Sequence, residues 1–217
     1  MKMTFELNDE TDLIHVTSTN SLGITSTKQV QLEDFIKSIG RNVRVTAHSS
    51  GLLPSNILHY KMLPESHEFV LLYDPNQADL AYEKTTYERF PIPRLVFGIE
   101  LSQDGRVRGK RIGVIEQGKV HEGSKMYRYP FGNLSASGHV CVGGNVLPVY
   151  KKLTALKSFP DHILRLPNND DHYNSNNTKL RLSQRNLMEH LKDKNQDYYY
   201  EHVLVPSGST LQGFLKG

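Results

Sequence analysis

The chain has 217 residues, a net charge of +3, 37% hydrophobic residues and 23% charged residues. That composition supports a packed core and argues against compositional disorder, and so small a charge gives no footing for nucleic-acid binding. A single cysteine excludes a disulfide framework and a Cys-x-x-Cys metal site, and fits a reducing, cytoplasmic setting. The first residues carry no long apolar stretch, so no signal peptide is expected, and no run approaches the ~18 apolar residues of a membrane span.

Read in chain order, the first third is β-rich. Met3, Phe5 and Leu7 alternate with polar residues, as in a half-buried strand, and Leu13–Thr19 and Val43–Ala47 read similarly. Between them, Leu32, Phe35, Ile36 and Ile39 recur at helical spacing, and Gly40 offers a stop. The turn-rich stretch Ser49–Asn56 divides a β-rich N-terminal extension with one helix, residues 1–55, from a second domain, residues 56–217.

Strands are expected over Glu68–Tyr73, Ile92–Leu101, Val107–Ile115 and Lys125–Tyr129, with Asp104-Gly105 as a hairpin turn. This is an antiparallel meander. Beyond it, Leu153, Leu156 and Lys157 predict a short helix ending before Phe159-Pro160. A polar loop follows over Leu166–Asn177, then a helix from about Thr178 to Lys192, built on Leu180, Leu187, Met188 and Leu191. Val203–Val205 reads as a last strand or an extended tail. Strands followed by helices indicate an α+β fold.

Cys141 lies in Tyr129-Pro-Phe-Gly-Asn-Leu-Ser-Ala-Ser-Gly-His-Val-Cys-Val-Gly-Gly144, directly after the meander. A lone thiol is buried filler, a stray surface group or a nucleophile. The glycines mark tight backbone, and Asn133 supplies an amide eight positions upstream, an arrangement suited to an exposed loop with chemistry.

The stretch from Asn133 to Val142 resembles the active-site segment of ubiquitin-conjugating enzymes. In that family a His-Pro-Asn tripeptide precedes the catalytic cysteine, with seven residues between Asn and Cys, a Gly three before the Cys and an aliphatic residue after it. This chain keeps Asn133, the gap, Gly138, Val140, Cys141 and Val142, and has Phe131 and Gly132 in place of His and Pro. Downstream, Pro167–His172 resembles the family's Pro-Asn-x-x-Asp-Pro loop, with His172 for the last Pro. The Phe-Gly-Asn variant and the N-terminal extension look like prokaryotic ubiquitin-conjugating family D, which includes PRTRC system protein B. The resemblance implies a ubiquitin-conjugating-enzyme-like fold. Its implied partners are a ThiF-like activating enzyme, a ubiquitin-like protein and a JAB-type peptidase of the same system.

On that reading Cys141 is a thiolate that accepts an acyl group and presents it to an amine. Asn133 either stabilises an oxyanion or holds its loop through local backbone bonds. His139, two residues before Cys141, shares its face on an extended segment and is either a base or a solvent-facing side chain. Asp171 either lines the groove and orients an incoming lysine or serves turn chemistry, whereas Asp170 reads as a loop residue. Tyr127, Tyr129 and Phe131 read as sheet packing, and Tyr198–Tyr200 as packing or an aromatic surface. The histidines show no zinc spacing, so no metal is expected. No phosphate-binding Gly-x-x-x-x-Gly-Lys-Ser/Thr motif or other cofactor signature occurs, so nucleotide chemistry belongs to a partner. Two alternatives stand beside the enzyme: a non-catalytic adaptor that binds a ubiquitin-like protein, and an unrelated cysteine hydrolase.

Overall fold

The computed structural model describes residues 2–7, 11–42, 50–135 and 137–216, so the predicted strand Val43–Ala47 lies outside the described residues. The chain forms two compact units, Met1–Ser49 and Ser50–Gly217.

The first unit is a three-stranded antiparallel sheet of β1 (Lys2–Leu7), β2 (Leu13–Thr19) and β3 (Thr25–Gln31), followed by α1 (Leu32–Asn42). The register pairs Phe5 with Val16 and Leu7 with Ile14, which gathers the apolar residues of the alternating pattern on one face. Ile14 and Val16 are buried, and the Phe35 ring of α1 meets Phe5 at 5.0 Å between centroids.

The second unit is built on the strands β4 (Ile57–Met62), β5 (Ser66–Tyr73), β6 (Gln77–Tyr82), β7 (Thr85–Pro91), β8 (Leu95–Ser102), β9 (Val107–Ile115), β10 (Lys125–Tyr127), β11 (Pro167–Asn168) and β12 (Pro206–Thr210). Six of them form an antiparallel sheet in the order β12-β10-β9-β8-β5-β4. The predicted meander is its centre. The hairpin β6–β7 is inserted between β5 and β8, and β11 joins it in parallel to make a second sheet, β11-β6-β7.

Strand β8 is almost wholly buried, because both faces of the sheet are covered there. On one face Phe69, Leu71, Phe97 and Ile99 meet Phe159, Ile163, Leu187, Leu191 and Tyr199. On the other, Val70, Val96, Ile115 and Met126 meet Leu211 and Phe214.

The helices differ from expectation in instructive places. A 3-10 turn over Leu153–Ser158 runs straight into α2 (Phe159–Leu164), where a stop was expected, because Pro160 occupies the first turn, which needs no intrahelical N–H donor. The predicted helix from Thr178 begins only at α3 (Gln184–Leu191), capped by Ser183; Thr178 instead bridges to Leu204. The single turn α4 (Gln196–Tyr198) continues as a π-helical turn over Tyr199–Val203. Val205 lies just before β12, and α5 (Leu211–Lys216) closes the chain. The whole is mixed α+β, with mostly antiparallel sheets. Among the described residues no helix is long and apolar enough to cross a membrane.

Candidate active site

The segment that leaves β10 is anchored by aromatic residues. Tyr129 and Phe131 both point into the core, with ring centroids 5.5 Å apart, and Phe131 also meets Phe90 edge-on at 5.9 Å. Only 2% of Phe131 is exposed, so this side chain is the peg that seats the loop. Gly132 follows because nothing larger fits. A Cβ there would lie 2.4 Å from the Asn169 carbonyl oxygen and 2.5 Å from Gln184 Oε1.

Asn133 takes a left-handed backbone conformation, φ 58°, which asparagine tolerates better than most residues. The turn folds the chain into a short hairpin in which Leu134 pairs with Val140. Ser135 N–H donates to the His139 carbonyl at 2.9 Å, and Cys141 N–H donates to the Asn133 carbonyl at 2.8 Å. Gly138, at φ 80°, makes the reversal. The returning arm docks on β9: Arg111 pairs with His139, Ile112 N–H donates to the Gly138 carbonyl and Val140 N–H donates to the Lys110 carbonyl. Extended backbone then alternates its side chains, so His139 and Cys141 are exposed while Val140 is buried between them.

The Pro167–Asp171 loop closes over Asn133. Asn133 N–H donates to the Asp171 carbonyl at 2.9 Å, and Asn133 Nδ2 donates to the Pro167 carbonyl at 3.0 Å. Asn169 N–H approaches Asn133 Oδ1 at 3.4 Å. Both ends of the Asn133 carboxamide therefore face the loop backbone. The loop itself is stitched to β6, where Asn168 pairs with Tyr82 and Glu83 N–H donates to the Asn168 carbonyl at 2.6 Å. The Tyr82 hydroxyl donates to Asp170 at 2.8 Å. Burial of that phenol, and secondly this bond, push its pKa up to about 12.

Cys141, Asn133 and Asp171 are thus joined through main-chain bonds. The Asp171 carboxylate is exposed and accepts from Asn169 Nδ2 at 3.1 Å. A small hollow of about 20 Å³, room for about one water, lies beside Cys141 against Gly132, Asn133, Leu166 and Asn168. His139 lines a different hollow, with Glu68, Glu100 and Arg111. Among the described residues no three His, Cys, Asp or Glu side chains gather as a metal site.

Two residues of the neighbourhood, Tyr82 and Gln184, carry no mark in the sequence. Tyr82 sits in an alternating Ala78, Leu80, Tyr82 pattern that marks a strand without marking its hydroxyl partner. Asn168 is the Asn of the Pro-Asn-x-x-Asp-Pro resemblance, but that match does not mark its bond to Gln184. Gln184 is 1% exposed, and a glutamine at a helix start carries no signal of burial.

A family model described as Prokaryotic E2 family D matches residues 32–207, from α1 to the first residues of β12. No curated protein and no solved structure matches. The match spans well over half of the chain, takes in the cysteine hairpin and the loop that clamps it, and points to a role in ubiquitin-like conjugation. The chain belongs to prokaryotic E2 family D.

Proposed function

We propose that the protein is a ubiquitin-conjugating-like acyltransferase with Cys141 as its acyl carrier. The Cys141 thiolate attacks the thioester carbonyl that links a ubiquitin-like protein to a ThiF-like activating enzyme, and the activating enzyme's thiolate leaves. An amine then attacks the new thioester; Cys141 leaves as thiolate, an amide forms, and the amine's proton passes to a base or to water. A thioester suits this task because it holds a polypeptide C-terminus and stays reactive towards amines.

The observation that carries this reading is the exposed Cys141 thiol on a hairpin held from both sides, by β9 and by Asn133. Asn133 acts as the loop's keystone, since its carboxamide is committed to Pro167 and Asn169. Asp171 lies at the rim, with an exposed carboxylate suited to orienting a lysine. His139 is exposed two residues before Cys141 but lines a separate hollow with Glu68, Glu100 and Arg111, and would serve as a base for the amine only from that side. On this reading residues 56–217 form the catalytic domain of a conjugating-enzyme-like fold, residues 1–55 are an extension, and a JAB-type peptidase of the same cytoplasmic system reverses the conjugation.

The test is a charging reaction with activating enzyme, modifier and ATP. Wild type gives an adduct that thiols cleave, Cys141→Ser gives a thiol-resistant, base-labile oxyester, and Cys141→Ala gives neither. A charged activating enzyme that never transfers to wild type sinks the proposal. Stoichiometric binding of the modifier in that same experiment, without an adduct, selects the adaptor instead.

A further inference from the structure

We propose that Gln184 is the positioning residue of the site: its buried carboxamide holds the Pro167–Asp171 loop at the place where the loop clamps Asn133 and, through it, Cys141. The inference deepens the catalytic reading above and rests on it only for its functional meaning.

Gln184 stands in the first turn of α3, a helix fixed in the core by Leu187, Met188 and Leu191. Its side chain therefore starts from a rigid base. Nε2 donates to Asn168 Oδ1 at 3.1 Å, and Asn168 lies within the loop. Oε1 is buried and has no hydrogen-bond partner among the described residues. It is packed against Gly132, the residue before Asn133, only 2.5 Å from where a Cβ would stand. One amide thus touches both walls of the site, the Asn168 side chain on one side and the Gly132 backbone on the other.

From there the bonds run without a break. Asn168 leads to Pro167, Asn169 and Asp171, which grip Asn133. The Asn133 carbonyl accepts from Cys141 N–H.

The unpartnered oxygen gives the inference its weight. A buried acceptor left without a donor destabilises a fold, and an apolar side chain of the same shape does not carry that penalty. A glutamine serving bulk stability alone would be improved by replacement with methionine. A glutamine that positions the loop separates two quantities that normally move together, global stability and local order at Cys141.

Native-state hydrogen exchange on the full chain, resolved by residue, reads both. In Gln184→Met the amides of Asn133 and Cys141 are expected to exchange about tenfold faster, the loss of one hydrogen bond expressed as local opening. Amides of β8 are expected to exchange no faster than in wild type. Asn168→Leu breaks the same bond from the loop side and is expected to give the same pattern, and it serves if Gln184→Met does not fold. A uniform rise across β8 and the Cys141 hairpin, or unchanged exchange at Cys141 in the variants that fold, overturns the proposal. Neither readout needs a partner protein, so failure here is distinct from failure of the charging reaction.

Discussion

Replacing Gly132 with alanine measures how tightly the two loops beside Cys141 are pressed together. The new Cβ would lie 2.4 Å from the Asn169 carbonyl oxygen, 2.5 Å from Gln184 Oε1 and 3.1 Å from Asn168 Oδ1. To reach a C···O separation of ~3.3 Å, the short end of ordinary C–H···O contacts, the carbonyl must withdraw by about 0.9 Å. A loop that retreats so far pulls Pro167 off Asn133 Nδ2, now at 3.0 Å, and Asn169 N–H off Asn133 Oδ1, now at 3.4 Å. If the loop holds its place, the overpacking costs ~1–3 kcal/mol. If it moves, two hydrogen bonds are lost at ~1 kcal/mol each. Both routes lead to a loss of about 2 kcal/mol. Urea unfolding gives the energy, and amide NMR shifts of Asn133 and Asp171 show which route is taken. A loss below ~0.5 kcal/mol with those shifts unmoved refutes the close packing.

Phe131→Ala removes a buried ring that contacts both Phe90 and Tyr129, and is expected to lower stability by ~3–5 kcal/mol in denaturant unfolding. A loss under ~1 kcal/mol means that the ring is not the anchor. Asn133→Ala is expected to melt below Asn133→Gly, since both lose the side-chain contacts but only alanine is strained at φ 58°; equal melting points contradict this. Cys141 should alkylate completely with iodoacetamide in the native state, and a thiol that labels only after unfolding shows that it is covered. The raised pKa of Tyr82 favours the neutral phenol in the fold. Its contribution is complete below ~10, where an unfolded tyrosine ionises, and is lost as pH rises through about 12. Tyr82→Phe should flatten the stability decline over that window, followed by chemical unfolding alongside tyrosinate absorbance. Identical slopes in variant and wild type remove Tyr82 from the account.

Periodicity carried β1 and α1 as elements, although the strand expected to be half-buried at Met3, Phe5 and Leu7 is exposed along its length. Alternation in β1 and the helical spacing of α1 each mark one apolar face, and Asp104-Gly105 turns where a positive φ was expected, with Gly105 at 84°. The elements that pattern missed are those held by something other than a face. β12 is Pro-Ser-Gly-Ser-Thr, exposed along its length, and is a strand only because it lies along β10. The β6–β7 hairpin turns through Glu83, a non-glycine residue at φ 51°, which no composition rule announces.

At the site, the spacing from Asn133 to Cys141 carried real information, because it sets a hairpin whose two arms meet through main-chain bonds. What that spacing does not encode is the neighbourhood. Phe131 reads as sheet packing, and nothing in the sequence marks its ring as the loop's anchor. Gln184 and Asn168 reach the site through side-chain bonds between residues 16 apart, and such pairings leave no periodic trace.

The direction of the clamp has a consequence for the order in which the protein is made. Pro167, Asn169, Asp171 and Gln184 all follow Asn133 and Cys141 in the chain, and the loop closes back across 88 residues to Tyr82. Synthesis proceeds from the N-terminus, and long-range contacts form late. A nascent chain therefore exposes the Cys141 thiol before the Pro167–Asp171 loop and Gln184 have emerged behind it. The clamp on Asn133 is complete only when α3, with Gln184, has emerged.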